Sequence, residues 1–209
     1  MNRQLTIGVV LLAACAALVL TATGAGRFQP GTDASKTPPE PAQMMRAWKD
    51  QMKPGKQQEE LLRLVGTWNC VNKVYLNGPS KPPVESKGVS TQKLILGGKL
   101  LLQEYEGEMM GTPYTGQGLM GFDNSRKLYV STWADSLSGT ISYMTGGRST
   151  DGSTYTSFGT IDEPWNGEIG KTVKYVLKLV DQDTVVFTCW QVMHAEDTKA
   201  FEIEYRRVK

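Results

Sequence analysis

From residue 66 onward the chain alternates apolar and polar side chains with a period of two, and turn residues interrupt it every eight to twelve positions. Val173, Tyr175, Leu177 and Leu179 alternate with Lys174, Val176 and Lys178. Phe201, Ile203 and Tyr205 alternate with Glu202, Glu204 and Arg206, and Gln103, Tyr105, Gly107 and Met109 with Glu104, Glu106 and Glu108. Such ribbons have one wet face and one inward face. Turns fall at Gly97-Gly98, Gly111-Thr112-Pro113, Asp123-Asn124-Ser125, Leu137-Ser138-Gly139, Asp151-Gly152 and Asp181-Gln182-Asp183. About ten strands follow, near 66–75, 86–96, 99–109, 114–122, 127–135, 140–145, 154–162, 172–181, 184–193 and 200–208. No stretch between them is helical enough for a parallel crossover, so neighbours are antiparallel. Closing the meander on itself removes both sheet edges. The expected fold is all-β: an antiparallel up-and-down barrel with room inside for a ligand.

Composition agrees and sets limits. Hydrophobic residues are 40% of the 209, enough for a core, and the 22 glycines suit a turn-rich chain. The single His excludes any site that needs two imidazoles. A net charge of +2 is no footprint for nucleic acid. Residues 1–26 hold Arg3 and no acid, which leaves +1 on the remainder, so electrostatic steering toward polyanions is not expected.

The N-terminal segment reads as an address. Residues 5–25 carry no charge and are mostly Leu, Val, Ala and small residues behind Arg3, with small residues at Ala22-Thr23-Gly24-Ala25. Three readings stay open: a cleaved signal peptide, an uncleaved membrane anchor, or a lipoprotein whose Leu12-Ala13-Ala14-Cys15 places a lipid on Cys15. All three export the rest to the periplasm or cell envelope. Residues 27–56 read as a linker rich in Pro, Thr and Ser, followed by a short amphipathic helix. Met44, Trp48 and Met52 form its stripe and Pro54-Gly55 its stop. A second helical pattern, at 57–64, sets Glu59 four residues before Arg63. The barrel domain is expected over 57–209, with these one or two helices as props.

Further phrases resemble a known family. Leu64-Val65-Gly66-Thr67-Trp68 is similar to the Gly-x-Trp opening of lipocalin-like barrels. Glu85-Ser86-Lys87-Gly88, Leu94-Ile95-Leu96-Gly97-Gly98-Lys99, Gln103-Glu104-Tyr105-Glu106-Gly107, Gly121-Phe122-Asp123-Asn124 and Tyr129-Val130-Ser131-Thr132-Trp133 resemble, in this order, the exported bacterial DUF1579 family. The resemblance spans residues 60–208 and implies a lipocalin-like (calycin-type) barrel. It brings no established activity, substrate or catalytic residue.

Trp68, Tyr105, Trp133, Tyr143, Tyr175 and Tyr205 are assigned inward, with Gln103, Ser131 and Gln191 on the same faces. Aromatic walls with a few polar groups describe a small-molecule pocket; the competing reading is a barrel filled by its own side chains. His194, near Glu196 and Asp197, is the one seat for general-base chemistry or haem ligation, and a lone His in a hairpin loop ordinarily is just solvated. Cys70, Cys189 and His194 lack metal-ligand spacing, so no metal and no cofactor is expected. Cys70 and Cys189 fall on the first and ninth strands. Two strand spacings are about 9.6 Å, beyond the roughly 7 Å that a disulfide tolerates, so free thiols are expected. The leading functional expectation is a small-molecule-binding barrel for a hydrophobic or amphipathic ligand. The alternatives are an envelope protein-interaction module with a filled barrel, its partner unspecified, and an enzyme using His194.

Overall fold

The computed structural model describes residues 40–78, 80–193 and 197–209. The signal or anchor segment with Cys15, most of the linker, and His194 with Glu196 lie outside the described residues.

Ten antiparallel strands close into one barrel. They are β1 (Gly66–Val74), β2 (Val84–Ile95), β3 (Leu100–Met109), β4 (Thr112–Asp123) and β5 (Leu128–Asp135), then β6 (Ser142–Arg148), β7 (Thr154–Glu163), β8 (Glu168–Leu179), β9 (Thr184–Gln191) and β10 (Thr198–Arg207). Each strand pairs with its sequence neighbours, and β1 pairs with β10, Cys70 opposite Tyr205, to complete the ring. Outward positions pair charges, as in Lys93 with Glu104 at 3.0 Å. Such exposed pairs contribute only about 0.2–1 kcal/mol each.

Helix α1 (Pro41–Met52) ends just before Pro54, as the stripe predicts. The second pattern folds as α2 (Lys56–Glu59) running into a 3-10 turn (Glu60–Leu64). Gln58 fixes its start, accepting from the Gly55 amide at 2.9 Å and donating to the Phe122 carbonyl at 3.2 Å. Leu61 and Leu64 from this turn are fully buried against Trp68, Tyr129, Tyr155, Leu179 and Val185, where β1, β5, β7, β8 and β9 end together. Each buried leucine contributes about 1.5–3 kcal/mol, so this segment closes one end of the barrel. The acid that ion-pairs here is Glu60, with Arg148, and it also accepts from the Tyr129 hydroxyl at 3.1 Å. Arg63 reaches the Gly152 carbonyl at 3.5 Å rather than the expected Glu59.

Strand β6 departs from the expected 140–145 by running on to Arg148. Gly146 and Gly147, beyond the expected end, continue the ribbon. A Cβ at Gly146 would lie 2.0 Å from the Thr156 carbonyl oxygen, so the glycine is there to let β7 approach.

Candidate functional site

Inside the barrel is a cavity of about 370 Å³, within the usual range for small-molecule sites. Its walls differ in chemistry. The half built by β1–β5 holds most of the amide and hydroxyl network and is rich in glycine, with Val74, Leu101, Met109, Leu119 and Met120 between. Asn72 donates through Nδ2 to the Tyr105 hydroxyl at 2.6 Å and to Ser86 Oγ at 3.3 Å. Gln103 Nε2 donates to Ser90 Oγ at 3.1 Å and across the barrel to the Tyr205 hydroxyl at 3.3 Å. Trp133 Nε1 donates to the Tyr114 hydroxyl at 2.9 Å. The half built by β6–β10 is mostly apolar: Met144, Ile161, Leu177, Val185, Phe187, Phe201 and Ile203 line it, while the Tyr205 hydroxyl of β10 joins the polar network. Tyr175 stacks on Phe187 with centroids 5.6 Å apart, and Phe187 meets Phe201 at 6.0 Å.

Inward glycines decide where the polar wall's rings lie. A Cβ at Gly88 would fall 2.2 Å from the Tyr105 hydroxyl, and at Gly107 2.6 Å from Gly88 Cα. At Gly116 and Gly118 it would fall 2.2 Å and 2.7 Å from the Trp133 ring. Both aromatics therefore lie flat over glycine backbone, which leaves the space beside them open.

The Asn72 carbonyl oxygen is buried and has no hydrogen-bond partner. Reversing the amide would satisfy the oxygen through the two hydroxyls and strand the nitrogen instead, so one end of this side chain is unmatched either way. An unmatched buried polar group costs about 1–3 kcal/mol. Among the lining residues Asp135 alone is charged, and its Oδ1 already accepts from the Leu137 and Ser138 amides at 2.9 and 2.8 Å. Burial pushes the Tyr105, Tyr114, Tyr175 and Tyr205 phenols above their ordinary value, so all four stay neutral donors.

Gln103, Tyr105, Ser131, Trp133, Tyr175 and Tyr205 all line this cavity. Trp68 does not. It is completely buried in the floor, its Nε1 bonded to the Leu64 carbonyl at 2.9 Å and the Arg207 guanidinium over its ring at 4.0 Å. Gln191 points inward near the open end and is spent on the buried Glu163 carboxylate at 2.9 Å, which Lys171 also pairs at 3.3 Å. Tyr143 is corrected: it is 52% exposed on the outer face, and its neighbour Met144 faces inward. Two adjacent apolar residues give no alternation to fix the register, and a slip of one residue reverses the faces. Asn72, Tyr114 and Phe187 escaped the sequence reading, and Phe201, placed there on the apolar face with Tyr205, was not named for the pocket. Phe187 shares the inward parity of Gln191 and was findable from that alone.

Cys70 on β1 and Cys189 on β9 are buried free thiols, with β10 between their strands. Burial pushes each thiol up to about 12. Among the described residues no group of three or more Cys, His, Asp and Glu is placed to hold a metal. His194 lies outside the described residues.

Comparison with solved structures gives a protein from M. tuberculosis, Rv2717c, with 15% identity and a TM-score of 0.54 over 75% of this chain and all of that one. At this identity the likeness is one of fold. The S-type phycobiliprotein lyase CPES from Guillardia theta gives 10% identity and a TM-score of 0.46 over 75% of this chain and 99% of that one. No curated protein matches. The family model described as "Protein of unknown function (DUF1579)" matches residues 53–207, which cover the barrel and the turn that closes it, and the chain belongs to that family.

Proposed function

We propose that this protein is a non-enzymatic carrier or sensor that holds one small hydrophobic or amphipathic molecule inside its barrel. The observation that carries this reading is the 370 Å³ cavity, bounded by aromatic and aliphatic side chains with a few fixed polar groups. Trp133 lies back against Gly116 and Gly118, which leaves room beside its ring. The likeness to Rv2717c supports the fold behind this reading and no particular ligand. Export to the periplasm or envelope belongs to the same proposal and rests on the uncharged run at residues 5–25.

Native mass spectrometry of the protein purified from its own cells tests both parts. The expected spectrum has a co-purifying small molecule that organic extraction removes, and a mature N-terminus shortened within residues 1–26. An empty barrel that takes up no apolar probe overturns the carrier reading. An intact, unlipidated N-terminus on protein recovered from the cytoplasm overturns export.

A second reading, a protein-interaction module, is favoured by one observation: Met44, Trp48 and Met52 on α1 are exposed. Pull-downs with and without residues 40–56 separate the two, because only this reading makes the stripe matter for binding.

A further inference from the structure

The carrier reading leaves the kind of ligand open, and the two walls narrow it. We infer that the cavity takes an uncharged amphipathic molecule with a hydroxyl or primary amide head. The head sits at the Asn72–Tyr105–Gln103 cluster and the apolar body lies along the β6–β10 wall.

Three observations point to that class. First, the cavity offers no compensating cation: among its lining residues there is no Lys or Arg. A carboxylate or phosphate head would be stripped of water there with no partner charge. A cationic head would find only Asp135, whose Oδ1 is held by two backbone amides and whose carboxylate also takes a hydrogen bond from Tyr114. Second, Asn72, Gln103, Tyr105 and Tyr205 form one hydrogen-bonded cluster on β1, β3 and β10 in a cavity that is otherwise mostly apolar. A wholly apolar molecule would leave the Asn72–Tyr105 and Gln103–Tyr205 bonds facing hydrocarbon. Third, Gln103 and Tyr205 line the cavity with groups that can both give and take a hydrogen bond. A hydroxyl gives and takes a hydrogen bond, as does a primary amide, and so matches them. A carboxylate only accepts. The neutral phenols of Tyr105 and Tyr205 add donors that match a neutral head equally well.

The selection is for head chemistry at fixed body size, so the test holds the chain length constant. Purified protein, stripped by organic extraction and refolded, is titrated calorimetrically with decanol, decanamide, decanoate and decylammonium at neutral pH. Decanol and decanamide are expected to bind at least about tenfold more tightly than either ion. Decanoate should gain affinity as pH falls and the head becomes a neutral acid, while decanol stays level. Gln103→Leu should reduce the preference for the alcohol over decane, with the fold checked by circular dichroism. Gln92→Leu, at the cavity-lining position paired with Gln103 across β2 and β3, serves if Gln103→Leu does not fold. Equal or tighter binding of decanoate or decylammonium overturns the inference and leaves the carrier reading standing. Failure of all four to bind overturns the carrier reading itself.

Discussion

The two halves of the barrel wall are built from the same alternating strands and do different work. In β1–β5 the inward positions carry Asn72, Ser86, Ser90, Gln103 and Tyr105 beside Leu101, Met109 and Met120, interspersed with Gly88, Gly107, Gly116 and Gly118. In β6–β10 they carry Met144, Tyr175, Val185, Phe187, Phe201 and Ile203. Glycine is present in both halves, but it makes room for different things. On the polar side it accommodates the Tyr105 and Trp133 rings. On the apolar side Gly146 and Gly159 meet the Thr156 and Tyr143 carbonyls, so they bring strand against strand. Both halves use glycine to bring strands together, as Gly107 does against Gly88, but only in β1–β5 does it also seat aromatic rings.

The contrast can be broken by substitution. The largest effect is expected at Phe187→Ala, which removes a ring stacked on Tyr175 and tilted against Phe201. It should cost about 3 kcal/mol by urea denaturation while widening the cavity, so an apolar fluorophore still binds. Gly116→Ala should cost less, about 2 kcal/mol, yet weaken fluorophore binding, because its Cβ pushes Trp133 into the hollow. If both variants change binding in the same direction, the two walls are not functionally distinct.

Tyr105→Phe should cost about 1 kcal/mol at neutral pH, because Asn72 keeps only its bond to Ser86. It also sharpens a pH effect. Burial raises the Tyr105 and Tyr205 phenols above their ordinary value of 10.0, so the unfolded chain sheds these protons before the native one does. The stability that depends on them is fully present below pH 10 and falls as pH rises beyond it. The urea midpoint should drop between pH 9 and pH 11, about the window set by an ordinary tyrosine, and drop less steeply in Tyr105→Phe.

The smallest effect compares one thiol from each half. Cys70 and Cys189 are both buried and raised to about 12, so neither should react with iodoacetamide in the native protein at pH 8, and both should react in urea. Selective native labelling of one, mapped by peptide mass, would show that its half opens independently.

The strand count, the closure and most of the inward faces were legible because alternation survives wherever charged residues mark the outer face, as in Glu104, Glu106 and Glu108. The reading failed at β6, where Tyr143 and Met144 stand side by side without such a marker. The floor and the hollow were harder. Trp68 has the inward parity of a pocket residue, and only the buried turn at Leu61 and Leu64 shows that it lies beneath the cavity. The hollow depends on which ring faces which glycine across two strands, a register that period two alone does not specify. Gly116 and Gly118, alternating within one strand, were the available signal.

Where a ligand sits can be read most directly from the indole N–H resonances of the five tryptophans during a decanol titration. Trp133 lines the cavity, whereas Trp165 is 78% exposed on a loop and Trp190 carries Lys174 and Lys199 over its ring. Saturable movement of the Trp133 signal, with Trp165 and Trp190 nearly still, is the expected result. A still Trp133, or shifts confined to Trp165, would contradict an interior binding site.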